Sequence, residues 1–237
     1  MVNLIIWSQG TGLNIMSVEL IFIHIPKTGG ISFLHTLNEI YGEENVKQIW
    51  DYIKPDYRAD LHLIDVEHDF WTNYHEFRAH VVLSLKDVQD KVLFGHIPAW
   101  CLDGLFPDVP RVTWLRDPLQ QVLSRVFHYR KVDVGGLSSW SPWALARAPW
   151  FRNCQFHYTG GMLNQFAYAG VLEEYELCLD QMRYMFGWPS GTAYHFHPTE
   201  FEEDKRRRLE SNLDFQKEMK RINYRDYALY DWAKWSL

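Results

Sequence analysis

Apolar runs and segments of helical periodicity alternate along most of the chain. Short, mainly apolar runs are predicted as strands buried on both faces, at residues 20–25, 91–95, 111–115 and 166–171. Segments with apolar residues at helical spacing are predicted as helices, at residues 30–41, 118–131 and 172–186. A further helical piece is predicted at residues 142–158 and a C-terminal helical region from about residue 200. The stretch 42–80 is poorly periodic and is expected to hold loops and short helices. This alternation predicts a single α/β domain with a mainly parallel central sheet flanked by helices.

Composition places the chain among globular proteins that do not bind nucleic acid. Of the 237 residues, 47% are hydrophobic and 23% are charged, which favours a packed core over disorder. The formal net charge is −6, whereas general nucleic-acid binders are usually basic. We therefore expect no nucleic-acid partner.

The cysteines and the N-terminal residues bear on location. Cys101, Cys154 and Cys178 lie far apart and give neither a disulfide framework nor metal-ligand spacing, so we expect no metal and a reducing, cytoplasmic location. No apolar run reaches the ~18 residues that span a bilayer, and no membrane span is expected. Residues 1–15 lack the pattern of a signal peptide and are predicted to form a flexible extension ahead of a domain over residues 16–237.

An anion-binding loop is predicted where the first strand ends. Residues 24–30 are His-Ile-Pro-Lys-Thr-Gly-Gly, and the predicted helix 30–41 follows directly. Glycines and the first turn of a helix expose backbone N–H groups, while the helix dipole and Lys27 add positive charge. The lysine precedes the glycines, whereas in a Walker A loop it follows them. The loop therefore predicts a phosphate or sulfate site of a kind other than a Walker A loop.

A second anion site is predicted after the third strand. Arg116 follows that strand, Asp117 suits a helix N-cap and Pro118 suits the first helical position. A guanidinium can hold a phosphate through two hydrogen bonds, and Ser124 lies two turns into the predicted helix.

Three residues that carry chemistry follow three predicted strands. Lys27, His96 and Arg116 each come directly after an apolar run. Ligands of parallel sheets bind beyond the carboxyl ends of the strands, so these three side chains are expected at one edge of the sheet. A histidine beside anion sites can remove a proton near neutral pH.

These motifs resemble those of sulfotransferases that use 3′-phosphoadenosine 5′-phosphosulfate (PAPS), in particular the family of heparan sulfate 2-O-sulfotransferase and its bacterial relatives. The resemblance covers scattered blocks at residues 24–30, 94–96, 116–124, 153–157, 166–188 and 227–235. It implies a P-loop-type sheet and a PAPS-dependent O-sulfotransferase. PAPS would donate the sulfuryl group, without a metal, to a hydroxyl of a carbohydrate or of another small hydroxylated molecule.

The resemblance also implies a role for each matching residue. His96 would be the general base of an in-line displacement, and Lys27 would stabilise the leaving group. The implied cofactor-binding residues are Lys27, Thr28, Gly29, Gly30, Ile31, Ser32, Arg116 and Ser124. Three positions depart from the family pattern, since Ile31, Gln121 and Cys178 stand where Thr, Arg and Ser are usual. The first two departures lower the expected affinity for the donor.

Other interpretations remain open on the sequence. A kinase-like phosphoryl transferase would share the sheet type but need Mg²⁺ and a carboxylate ligand, and a non-catalytic nucleotide-binding or glycan-binding module would bind without turnover. His24 is either a packed side chain or a second polar group near the sulfate. Trp100, Trp140 and Trp143 either pack in the core or line an acceptor cleft. The charged run 202–208 is either a solvated helix or brings arginines to the cofactor.

Overall fold

The computed structural model describes residues 18–49, 74–85, 88–191, 193–194 and 201–237. The predicted extension over residues 1–15 lies outside these ranges. The strands of the described residues are β1 (Leu20–Ile23), β2 (Val46–Gln48), β3 (Val92–Gly95), β4 (Arg111–Leu115) and β5 (Tyr168–Val171). They form one parallel sheet in the order β2-β3-β1-β4-β5.

Helices flank this sheet and confirm the predicted α/β class. They are α1 (Gly30–Tyr41), α2 (Tyr74–Leu85), α3 (Pro118–Val132), α4 (Pro142–Ala146), α5 (Cys154–Thr159), α6 (Tyr175–Phe186), α7 (Glu203–Glu210), α8 (Leu213–Ile222) and α9 (Tyr224–Trp235). Within the described ranges, no helix combines the length and the apolar composition that crossing a bilayer requires.

Two segments differ from their predictions. β2 lies in the stretch expected to hold loops and short helices. It was not predicted because its three residues show no apolar alternation and form a strand only by pairing with β3. The predicted helix 142–158 is divided into α4 and α5. Pro149 lies between them and disfavours a helical backbone in the residue before it, and Asn153 adopts a left-handed conformation with φ 47°.

Buried residues fix the central strand β1 between β3 and β4. All four residues of β1 are fully buried. Trp114 of β4 is also buried, and its ring packs so closely on Gly170 of β5 that a Cβ there would lie 2.7 Å from it. A second apolar cluster joins α3 to α4 and α8. The sheet order thus sets the carboxyl ends of β3, β1 and β4 side by side.

Candidate active site

A cleft of about 1020 Å³ opens at the carboxyl ends of β1, β3 and β4. The predicted site residues that line it are Lys27, Gly29, Gly30, Ile31, Ser32, His96, Arg116 and Ser124. Thr28 does not line the cleft, because its side chain is fully buried and donates a hydrogen bond to the carbonyl of Ile25 at 2.9 Å. The strands that precede Lys27, His96 and Arg116 are neighbours in the sheet, so the predicted grouping of these residues is confirmed.

Three successive carbonyl groups of the loop after β1 accept hydrogen bonds from side chains. The carbonyls of residues 25, 26 and 27 accept hydrogen bonds from Thr28 Oγ1, Gln121 Nε2 and Arg116 Nη1 at 2.9, 2.9 and 3.2 Å. Lys27 has a left-handed backbone with φ 67°, which costs a non-glycine residue about 1 to 2 kcal/mol. The three hydrogen bonds offset this cost. They also pair the loop carbonyl oxygens with donors of the protein, which suits a loop whose N–H groups bind an anion.

The start of α1 has no capping side chain among the described residues. Its N-cap is Gly29, which adopts a left-handed conformation with φ 87° and has no side chain to accept from the first-turn N–H groups. The first turn also lacks an acidic residue. A helix start with neither cap nor carboxylate favours an anion supplied by a ligand.

Basic side chains repel one another around this helix start. Burial lowers the pKa of Lys27 from its usual value, and the charges of Arg116, Arg206 and Lys131 lower it further. Burial also lowers the pKa of Arg116, although Glu173 acts in the opposite direction. A bound anion would relieve this repulsion, so the electrostatics of the cleft favour an anionic ligand.

Contacts from distant parts of the chain hold Arg116 in place. Gln155 of α5 donates its Nε2–H to the carbonyl of Arg116 and accepts from its N–H, both at 2.8 Å. Glu173 accepts from the N–H of Asp117 at 3.0 Å. Asp117 caps α3, as predicted, by accepting from the N–H of Gln120 at 2.9 Å. The backbone that carries the guanidinium is therefore fixed on both sides.

His96 lies directly after β3, and a hydrogen bond defines its tautomer. Its Nδ1 lies 2.6 Å from the carbonyl oxygen of His24, which can only accept, so Nδ1 carries the proton. In the neutral ring Nε2 is then unprotonated and can accept a proton. The ring centroid lies 4.2 Å from that of His24 and 6.4 Å from that of Tyr158. This arrangement suits a general base at the edge of the cleft.

The cleft also contains residues for which no role at the site was predicted, among them Arg125, His128, Tyr129, Glu173, Glu174 and Glu176. The three glutamates follow β5, so the rule that pointed to the other strand ends would have pointed to them as well. Arg125 is buried and donates to the carbonyls of Trp150 and Phe151 at 2.9 and 3.3 Å. No sequence signal indicated which way this arginine faces.

The three positions that depart from the family pattern have different surroundings. Ile31 is 58% exposed at the cleft wall, so an apolar surface stands where a hydroxyl was usual. Gln121 is fully buried and binds the loop carbonyl of Pro26, which makes it a brace for the loop. Cys178 is buried, and the N–H of Val171 donates to its Sγ at 3.3 Å.

Two further expectations concern metals and tryptophans. Among the residues that the structure describes, no three His, Cys, Asp or Glu side chains are grouped so that they could hold a metal ion. Trp100, Trp140 and Trp143 do not line this cleft, and the ring of Trp143 packs edge-on against Phe215 at 5.1 Å.

The comparisons with known proteins give a distant structural likeness. No protein-family model matches the chain, and no curated protein does. A sulfotransferase from Alicyclobacillus acidocaldarius superposes with a TM-score of 0.47 at 13% identity, over 90% of this chain and 94% of that one. A retinol dehydratase in complex with androsterone and the inactive cofactor PAP gives 0.43 at 15% identity, over 89% and 69%. A complex of retinol dehydratase with retinol and PAP gives 0.38 at 15%, over 92% and 72%. Scores this low carry no argument about reaction or ligand, so the case for function rests on the residues of the cleft.

Proposed function

We propose that this chain is an O-sulfotransferase, which moves a sulfuryl group from PAPS to a hydroxyl of an acceptor. The observation that carries the proposal is that two cationic positions and a histidine open into one cleft. Lys27 lies beside the uncapped start of α1, and Arg116 lies at the start of α3. His96 follows β3, on the other side of β1 from Arg116.

A donor with anionic groups at two ends suits this arrangement. The 5′-phosphosulfate would lie against the first turn of α1, held by Lys27 and by backbone N–H groups of residues 28–32. The 3′-phosphate would be held by the guanidinium of Arg116 and the hydroxyl of Ser124. Both groups would bring negative charge to the basic side chains that, after burial, lower the pKa of Lys27.

His96 and Lys27 have separate roles in the proposed reaction. A bond forms between the acceptor oxygen and sulfur while the bond from sulfur to the 5′-phosphate oxygen breaks. His96 takes the acceptor proton on Nε2, since its Nδ1–H is engaged by the carbonyl of His24. Lys27 stabilises the charge that develops on the departing phosphate oxygen. The products are a sulfate ester and 3′-phosphoadenosine 5′-phosphate (PAP).

Carbohydrates and small hydroxylated molecules are the proposed acceptors. Glu174 and Glu176 line the cleft on the side of β5, and the chain has a formal net charge of −6. Negative charge of this kind disfavours a heavily sulfated polyanion. Neutral saccharides are therefore the first acceptor class to test.

The test is sulfuryl transfer from labelled PAPS to a panel of neutral saccharides and small alcohols, with EDTA present. We expect label in the acceptor. His96→Asn retains a donor for the carbonyl of His24 but lacks Nε2, so it should be at least about 10²-fold slower while PAP affinity changes less than about twofold. His35→Asn, at an exposed position of α1, is the matched control and should retain the rate.

Other outcomes point to the other functions. Binding of PAP without transfer to any acceptor would favour a binding module. Phosphoryl transfer from ATP that requires Mg²⁺ would favour a kinase-like enzyme. A His96→Asn variant as fast as the wild-type protein would remove His96 from the reaction.

A further inference from the structure

The imidazole of His24 occupies a position in the cleft that the proposed reaction does not yet use. Its ring stacks on Phe22 with centroids 5.3 Å apart and lies 4.2 Å from the ring of His96. It lines the same cleft as Lys27.

Gly30 allows His24 to reach the start of α1. This glycine does not have a positive φ, so its backbone does not require glycine. A Cβ at position 30 would instead overlap the imidazole, with Nε2 as the nearest atom. The ring therefore fills the space beside the first helical turn, where the proposed donor presents its sulfuryl group.

The polar atoms of this ring have no protein partner among the described residues. Within the part of the chain that the structure describes, neither ring nitrogen of His24 forms a hydrogen bond to another residue. The side chain is nevertheless partly buried. Polar groups removed from bulk water are usually hydrogen-bonded, so an unpaired imidazole at the wall of a cleft indicates a ligand partner.

The ring is neutral at pH 7. Burial holds the pKa of His24 well below its usual value, and the charges of His96 and Lys27 act in the same direction. A neutral imidazole has one N–H donor and adds no net charge to a site where basic groups already repel one another.

We propose that the Nε2–H group of His24 donates a hydrogen bond to a sulfuryl oxygen of the bound donor. The inference rests on the proposed function and adds a residue that recognises the group being transferred. PAP lacks the sulfuryl oxygens, so His24 should contribute to the binding and transfer of PAPS and not to the binding of PAP.

A pair of substitutions of similar length tests this role. His24→Gln retains an N–H donor, whereas His24→Met retains the length and removes the donor. We expect His24→Met to lower kcat by about 10²-fold and His24→Gln by less than about tenfold, with the Kd of PAP within about twofold of wild type in both. His35→Met, the same change at an exposed histidine outside the cleft, should leave kcat and the Kd of PAP unchanged.

The outcomes separate this inference from the proposed function. Equal losses of kcat in the Gln and Met variants, or a parallel loss of PAP affinity, would overturn the role of His24 and leave the sulfotransferase proposal standing. A wild-type protein that does not bind PAP would overturn both. If His24→Met does not fold, His24→Phe keeps a ring between Phe22 and His96 and replaces it in the same comparison.

Discussion

Two of the helices that begin at the cleft, α1 and α3, start in different ways. α1 begins after Gly29 and has no side-chain cap. α3 begins with Pro118 after Asp117, whose carboxylate accepts from the N–H of Gln120 at 2.9 Å. A basic residue precedes each start, Lys27 for α1 and Arg116 for α3.

This difference indicates that the starts of α1 and α3 bind different parts of the ligand. At the start of α3, Pro118 has no N–H and the N–H of Gln120 binds the carboxylate of Asp117, so we assign the ligand contact there to the Arg116 guanidinium and the Ser124 hydroxyl. The start of α1 leaves its N–H groups to a ligand. We infer that the α1 side acts on the reacting phosphosulfate and that the α3 side anchors the 3′-phosphate.

Replacing Lys27 tests the α1 side and should have the largest effect. Lys27→Met should lower kcat by about 10²- to 10³-fold, because the ammonium group acts on charge that develops during transfer. PAP affinity should fall less than about tenfold. The measurements are transfer from labelled PAPS and calorimetry with PAP, and Lys47→Met on the exposed face of β2 is the control. A loss of PAP affinity as large as the loss of kcat would contradict the different roles of the two helix starts.

Replacing Arg116 tests the α3 side. Arg116→Lys keeps the charge but loses the two-pronged grip on a phosphate and the hydrogen bond to the carbonyl of Lys27. The Kd of PAP should rise by about 10- to 100-fold, while the Kd of 5′-AMP should change less than about threefold. Calorimetry measures both, with Arg208→Lys on the exposed side of α7 as the control. If both nucleotides weaken by the same factor, Arg116 does not read the 3′-phosphate.

Gln155 tests whether the α3 side depends on a distant brace. Gln155→Leu removes two hydrogen bonds from a buried side chain to the backbone of Arg116 and should lower the free energy of unfolding by about 2 kcal/mol. PAP affinity should fall with it. Urea denaturation and calorimetry check both, against the exposed control Gln165→Leu. Unchanged PAP affinity would show that Arg116 is positioned without this brace.

Asp226 extends the brace by one step, and its effect on stability should depend on pH. It accepts from the N–H groups of Gln155 and Phe156, and burial raises its pKa to about 7. Between pH 4 and 7 the folded protein therefore binds more protons than the unfolded chain, and stability falls as pH rises.

Asp226→Asn removes this titration. From pH 5 to pH 8, the wild-type protein should lose on the order of 1 to 3 kcal/mol of unfolding free energy relative to Asp226→Asn. Urea denaturation at the two pH values provides the measurement. Parallel changes in the two proteins would mean that Asp226 is already ionised at pH 5.

The same contrast explains what could be predicted from the sequence. The loop before α1 was predictable because its proline, lysine and glycines are consecutive, and strand ends gave the positions of Lys27, His96 and Arg116. The braces were not, because Gln155 lies 39 residues from Arg116 and Glu173 lies 56 residues from Asp117. Such pairs depend on how the helices pack, and the local sequence pattern does not indicate them.

β2 and the His24–Gly30 contact were missed for related reasons. Three residues of β2 show no strand periodicity of their own and depend on β3 for their pairing. Gly30 was predicted as a source of exposed N–H groups, whereas the structure also gives it a steric role, which is to make room for the imidazole of His24.

The most direct test of the central claim is calorimetry of the wild-type protein with PAP and with 5′-AMP. The two nucleotides differ only in the 3′-phosphate, which we assign to Arg116 and Ser124. We expect PAP to bind at least about tenfold more tightly than 5′-AMP. Equal affinity for the two nucleotides would contradict it.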